Sequence, residues 1–162
     1  MQNKPDKEVV KRNALEFLRN IDVGVVATVD ENGQPYVSPV YYAEGGDFEI
    51  YFFATSASRK SQNIMKNSKV AFSAGTGPEH ICVTVRGIAK LVEGHEYDRG
   101  SFLITQKAEK NSMDNWPIRK VEELKRHYPY LYKIEPQEVT FLNIDSSKEP
   151  SSIADHFHQI AP

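Results

Sequence analysis

The stretch Tyr51-Phe52-Phe53-Ala54-Thr55-Ser56-Ala57-Ser58-Arg59-Lys60-Ser61-Gln62-Asn63-Ile64 decides the reading of this chain. It predicts an apolar strand, a loop of small hydroxyl residues, and a helix opening on Ser-Arg-Lys. A helix N-terminus already presents unpaired N–H groups and a partial positive charge. With Ser58 as cap, Arg59 and Lys60 fall in the first turn, where cations work against helix stability unless an anion meets them. A phosphate supplies such an anion. The alternative is a solvated basic turn in which Ser58 does no more than cap the helix.

The surroundings extend this pattern. A helix from about Asp6 to Asn20 carries Val9, Val10, Ala14, Phe17, Leu18 and Ile21 along one stripe. Strand Val23–Val29 follows, then the turn Asp30-Glu31-Asn32-Gly33, whose Asn-Gly pair is a strong hairpin signal. Strand Pro35–Ala43, the turn Glu44–Asp47 and strand Phe48–Ala54 complete an antiparallel meander, and strand Val70–Ala74 comes after the Ser-Arg-Lys helix. From Ile81 to Leu91 the alternation sends Ile81, Val83, Val85, Ala89 and Leu91 one way and Cys82, Thr84, Arg86 and Lys90 the other. Gly87 marks a bulge or a close backbone approach there. A helix is predicted over Gly94–Ala108, then a polar loop at Lys110–Asn115, a second helix over Trp116–His127, two short strands bracketed by Pro129 and Pro136, and a loose connection at Asp145–Ser152. Short turns between six or more strands predict a mainly β barrel with flanking helices.

Phe-Phe-x-Thr-x-x-Ser-Arg-Lys-x-x-Asn-Ile, placed on the third strand and the helix after it, resembles the FMN-binding split-barrel family typified by pyridoxamine 5′-phosphate oxidase. The likeness covers about residues 10–92, and Tyr132–Leu142 is similar to the last hairpin of that family. The resemblance implies an antiparallel, six-stranded, Greek-key-like split barrel as one domain over residues 1–162, with residues 1–20 as an N-terminal helix and 145–162 as a C-terminal tail. It implies that Arg59 and Lys60 hold the FMN phosphate, that Thr55 and Ser58 add hydroxyl or backbone bonds, and that Ser38–Tyr42, with Val40, Tyr41 and Tyr42, line the flavin ring. It also implies a homodimer with cofactor sites at the interface.

The chain departs from the family at two places. The classical oxidase has an Arg and a Lys on its second strand, where this sequence has Tyr36–Tyr42 with neither. The oxidase also ends in an arginine-bearing strand, where this one ends Gln159-Ile160-Ala161-Pro162. The expectation is therefore a flavin-dependent oxidoreductase acting on an unknown small molecule, not the vitamin B6 oxidase. The alternative is a non-catalytic carrier, store or sensor binding flavin (FMN or FAD), haem or a deazaflavin. A third reading is a cofactor-free dimer whose basic turn is vestigial. No side chain stands out as a general acid or base.

Composition sets outer bounds. A chain of 162 residues with net charge −2 shows no basic field suited to nucleic acid or a membrane surface. No apolar run approaches the ~18–20 residues of a membrane span. The start Met1–Lys7 has no apolar segment behind it and does not read as a signal peptide. Cys82 is the one cysteine, which rules out an internal disulfide and suits a reducing cytoplasm. No metal site is expected, since His80 is alone and His156 and His158 have no third ligand nearby. Tyr36, Tyr42, Phe48, Ile50 and Phe52, with Ile81, Val83 and Val85, predict more apolar surface than one small barrel hides, hence a two-fold interface.

Overall fold

The Asp30 carboxylate accepts hydrogen bonds from the backbone N–H groups of Asn32 and Gln34, each at 2.9 Å, and Gly33 takes a φ of 80°. This turn folds β1 (Val23–Val29) onto β2 (Pro35–Glu44), with Val29 opposite Pro35 and Val23 opposite Tyr41. The structure is a computed structural model that describes residues 6–75, 80–111, 126, 130–144 and 157–160. A second turn leads to β3 (Ile50–Ala54), which starts at Ile50 rather than Phe48 because Asp47 and Phe48 take positive φ. Helix α2 (Arg59–Lys66) follows, and β4 (Lys69–Gly75) returns beside β1, with β5 (Ile81–Val92) beside β4. Strand β6 (Tyr130–Asn143) pairs with β5 along its length, and its first residues also pair with β3. The order β3-β2-β1-β4-β5-β6, closed by β3 against β6, is a six-stranded antiparallel barrel. The last strand, β7 (Phe157–Ile160), pairs with the far half of β6, with position 158 in register with Phe141.

The inward positions fill the barrel: Val26, Tyr42, Ile50, Phe52, Phe72, Val83, Val85, Tyr132 and Ile134 are all essentially inaccessible. Helix α1 (Lys7–Asn20), capped by the Asp6 carboxylate, adds Val10, Ala14 and Leu18 to this core, while Val9 falls off the stripe and is exposed. Helix α3 (Gly94–Lys110) covers a second cluster on the barrel's outer wall, with Ala43, Tyr51, Phe53, Val92, Ile104 and Leu131. Gly100 permits this docking, since a Cβ there would lie 2.5 Å from a Tyr51 ring carbon. Tyr51 accepts a 2.6 Å bond from Arg99, whose guanidinium also meets Glu49 and Glu96, and Lys133 reaches both carboxylates. The network ties α3 to β3 and β6.

Several expectations are corrected. Pro136 does not divide two short strands; β6 runs through it. Gly87 faces Pro136 while Arg86 faces Glu138, so Gln137 is an extra residue at a bulge, a place where a proline costs no ladder bond. The close approach expected at Gly87 is present, with a built Cβ 2.1 Å from the Glu135 carbonyl oxygen. Leu91 does not continue the buried row; it is exposed, and Val92 is buried beside α3 instead. Of the residues expected to be in excess, Tyr42, Phe48, Ile50, Phe52, Val83 and Val85 fit inside the one barrel, Ile81 is half-buried, and Tyr36 is exposed. Four of the exposed apolar residues, Val23, Val25, Val37 and Tyr41, lie together on the outer face of β1 and β2. The expected helix Trp116–His127 (save Arg126), the connection Asp145–Ser152 and His156 lie outside the described residues. Among the described residues no helix is long and apolar enough to cross a membrane.

Candidate functional site

Strand β3 ends at Ala54 and the chain turns at once. The Ser58 N–H and Oγ both donate to the Thr55 carbonyl, at 3.1 and 2.8 Å. Ser58 keeps an extended backbone (φ −69°, ψ 144°) and its Oγ accepts from the Ser61 N–H at 3.3 Å, so it is the cap of α2. The first turn of α2 holds no acidic residue. Arg59 and Lys60 therefore stand at the positive end of a helix with no carboxylate on that turn to balance them.

The two cations are held differently. The Arg59 guanidinium is exposed and lies over the Tyr36 ring, 5.6 Å from its centroid. Lys60 is half-buried, and burial alone pushes its pKa below the usual lysine value. It has no ion-pair or hydrogen-bond partner among the described residues. By contrast Lys66, at the other end of α2, meets Glu31 at 2.8 Å. A desolvated ammonium without a counter-ion costs folding free energy that a bound anion recovers. Behind it, the Asn63 amide donates to Thr28 Oγ1 at 3.0 Å inside the barrel end.

The residues expected on β2 divide. Val40 and Tyr42 point into the core, not toward Arg59 and Lys60. The Tyr42 hydroxyl donates to the Leu18 carbonyl at 2.8 Å, its ring packs edge-on to Phe72, and Lys107 Nζ sits 3.6 Å from the ring centroid. Tyr41 stands on the outer face and is 37% exposed. Of β2, only Tyr42–Glu44 pair with β3, so the Pro35–Tyr41 edge away from β1 has no strand partner among the described residues. This gap is the split in the barrel. Ser38, on the same segment, has a buried Oγ with no hydrogen-bond partner among the described residues.

The structure thus brings Thr55, Ser58, Arg59 and Lys60 together, sets an open strand edge on β2, and adds Tyr36, which motif reading missed. The available signal was its position directly opposite Thr28, set by the Asn-Gly turn. Cys82 lies apart on the outer face of β5, its Sγ 3.1 Å from Ser73 Oγ and 3.8 Å from Thr84 Oγ1. Both neighbours are neutral hydroxyls.

A closed antiparallel barrel whose third strand runs into a serine-capped, doubly basic helix is a split barrel. The family model described as pyridoxamine 5′-phosphate oxidase matches residues 10–143, and this chain belongs to that family as a divergent member. The pyridoxine/pyridoxamine 5′-phosphate oxidase of Shewanella halifaxensis is 42% identical over 65 residues, which are 40% of this chain and 31% of that one. Its counterpart from Vibrio cholerae is 34% identical over 71 residues, 44% of this chain and 34% of the other. The match therefore spans about a third of those curated relatives. Among solved structures, Campylobacter jejuni ChuZ superposes with a TM-score of 0.72 at 15% identity, covering 99% of this chain and 61% of that one. The heme binding protein from Mycobacterium smegmatis gives 0.66 at 16% identity, covering 95% and 61%. General Stress Protein 26 from Bacillus anthracis gives 0.59 at 24% identity, covering 83% and 98%. At these identities the likeness is one of fold.

Proposed function

We propose that this protein binds FMN and serves as a flavin-dependent oxidoreductase for a small molecule other than pyridoxamine 5′-phosphate. The observation that carries the reading is Lys60, half-buried at the start of a serine-capped helix with no anion beside it among the described residues. The residues fit the group. Lys60 and Arg59 would hold the phosphate, with Ser58 and the Thr55 segment supplying hydroxyl and backbone contacts. The open edge of β2 and the orphaned Ser38 Oγ would meet the polar rim of a flat heterocycle. Bound there, the flavin would supply the hydride and electron transfer that these side chains cannot. The chain's own part is to bind, orient and shield. Among the described site residues no carboxylate or histidine is placed to move a proton.

The exposed outer face of Val23, Val25, Val37 and Tyr41 supports a second copy of this chain as its cover, giving a homodimer. Against vitamin B6 oxidation stand the missing cations on Tyr36–Tyr42 and a match that spans only a third of the oxidases. The fold shared with a heme binding protein supports a second reading, a non-catalytic carrier of haem or flavin.

Absorbance of the purified protein separates these readings. Flavin bands, and quenching of FMN fluorescence on titration, support the first, and turnover of a reduced nicotinamide separates enzyme from carrier. A haem Soret band with no flavin binding overturns the proposal in favour of the second.

A further inference from the structure

Arg59 and Asn63 are four residues apart on α2 and so share one helix face. That face looks onto the β1–β2 hairpin at one point. Asn63 Nδ2 donates to Thr28 Oγ1 at 3.0 Å, and Thr28 Oγ1 in turn lies 3.5 Å from the Tyr36 carbonyl oxygen, a long hydrogen bond between residues directly opposite each other in the ladder. Thr28 is wholly buried and Asn63 nearly so. The relay runs from α2 through β1 to β2, and Tyr36, where it ends, carries the ring that underlies the Arg59 guanidinium. Tyr36 is itself 39% exposed and belongs to neither buried cluster, so it contributes little to the core.

We propose that Tyr36, held by the Thr28–Asn63 relay, is a positioning residue for the anion site: it pre-orients Arg59 so that the guanidinium meets a ligand phosphate without first being ordered. The inference rests on the phosphate reading above but concerns a different residue. It divides the cations by role. Lys60 supplies a charge kept in place by burial, whereas Arg59 supplies a planar donor fork kept in place by an aromatic face. Ordering one long side chain in advance is worth about threefold to tenfold in affinity.

Two measurements test this. In the ligand-free protein, the Arg59 Nε–Hε pair is followed by ¹⁵N NMR relaxation. Wild type and Tyr36→Phe should show an ordered side chain, and Tyr36→Leu a mobile one. With FMN as the probe, Tyr36→Leu should weaken binding about threefold to tenfold, with Tyr36→Phe restoring it. In an Arg59→Ala background Tyr36→Leu should have no further effect. Equal Arg59 order in wild type and Tyr36→Leu overturns the proposal, as does an undiminished Tyr36→Leu effect when Arg59 is absent. Failure of wild type to bind FMN overturns the flavin reading, while the ligand-free relaxation still decides the role of Tyr36.

Discussion

Lys60→Gln separates a binding residue from a structural one. In the free protein this ammonium is half-buried, its pKa is lowered by burial, and it has no counter-ion among the described residues. Replacing it with a neutral amide of similar reach removes a desolvation cost and breaks no described bond. Thermal stability of the ligand-free variant should therefore equal or exceed that of wild type. Binding should move the other way, because a charge-assisted hydrogen bond to phosphate contributes about 1.5–3 kcal/mol, which corresponds to roughly 10- to 150-fold in Kd. Arg59→Ala should cost less. Its guanidinium is exposed, so solvent screens its pairing with the ligand more than that of the half-buried Lys60. The double variant should weaken FMN binding by at least ~100-fold, about 2.7 kcal/mol. Riboflavin, without the phosphate, should bind weakly to wild type and be nearly insensitive to either change. The assay is FMN fluorescence titration beside a melting curve. Unaltered FMN affinity in a folded Lys60→Gln, Arg59→Ala protein would refute the reasoning, and a large loss of apo stability in Lys60→Gln would show that the lysine is structural.

Lys107 bonds the Leu18 and Ile21 carbonyls at 2.8 and 2.6 Å, and burial pushes its pKa down to about 8 against the attraction of Asp22 and Glu44. The unfolded chain binds more protons at this site between about pH 8 and the usual lysine value, so this contribution to stability rises with pH across that window. The melting temperature of wild type relative to Lys107→Met should climb from pH 7.5 to 9.5, and a flat difference contradicts it. Gly100→Ala forces a methyl to 2.5 Å from the Tyr51 ring and 2.7 Å from Leu131, so it should destabilise by about 1–3 kcal/mol despite alanine's helix preference. A melting temperature lowered by several degrees in calorimetry is the expected reading. Sedimentation should find a dimer at micromolar concentration and a monomer for Val37→Lys, a change at a 58% exposed site that leaves the barrel intact; a monomeric flavin-loaded wild type overturns the interface. The flavin-loaded protein should give no measurable conversion of pyridoxamine 5′-phosphate, and robust turnover would mean that basic residues in the C-terminal third replace the missing arginines.

Much of the barrel was legible in the chain because its signals are local. Asn32-Gly33 dictates the first hairpin through a positive φ, alternation from Ile81 to Ala89 marks the long strand, and Ser58 before Arg59 marks a capped helix. Such features depend on neighbours in sequence and need no knowledge of the rest of the fold. The structure alone decided what depends on closure. Whether Tyr42 faces solvent or core turns on α1, β4 and α3 closing around it, where it meets the Leu18 carbonyl, Phe72 and Lys107. Pro136 looks like a strand end in sequence, yet the bulge opposite Gly87 lets β6 continue through it. The site divides on the same line. Sequence determined that Arg59 and Lys60 sit at a helix start, since the cap and the charges are contiguous. Only the tertiary structure set Tyr36 under Arg59, where α2 packs against a hairpin more than twenty residues earlier in the chain, and left Lys60 half-buried with no partner among the described residues.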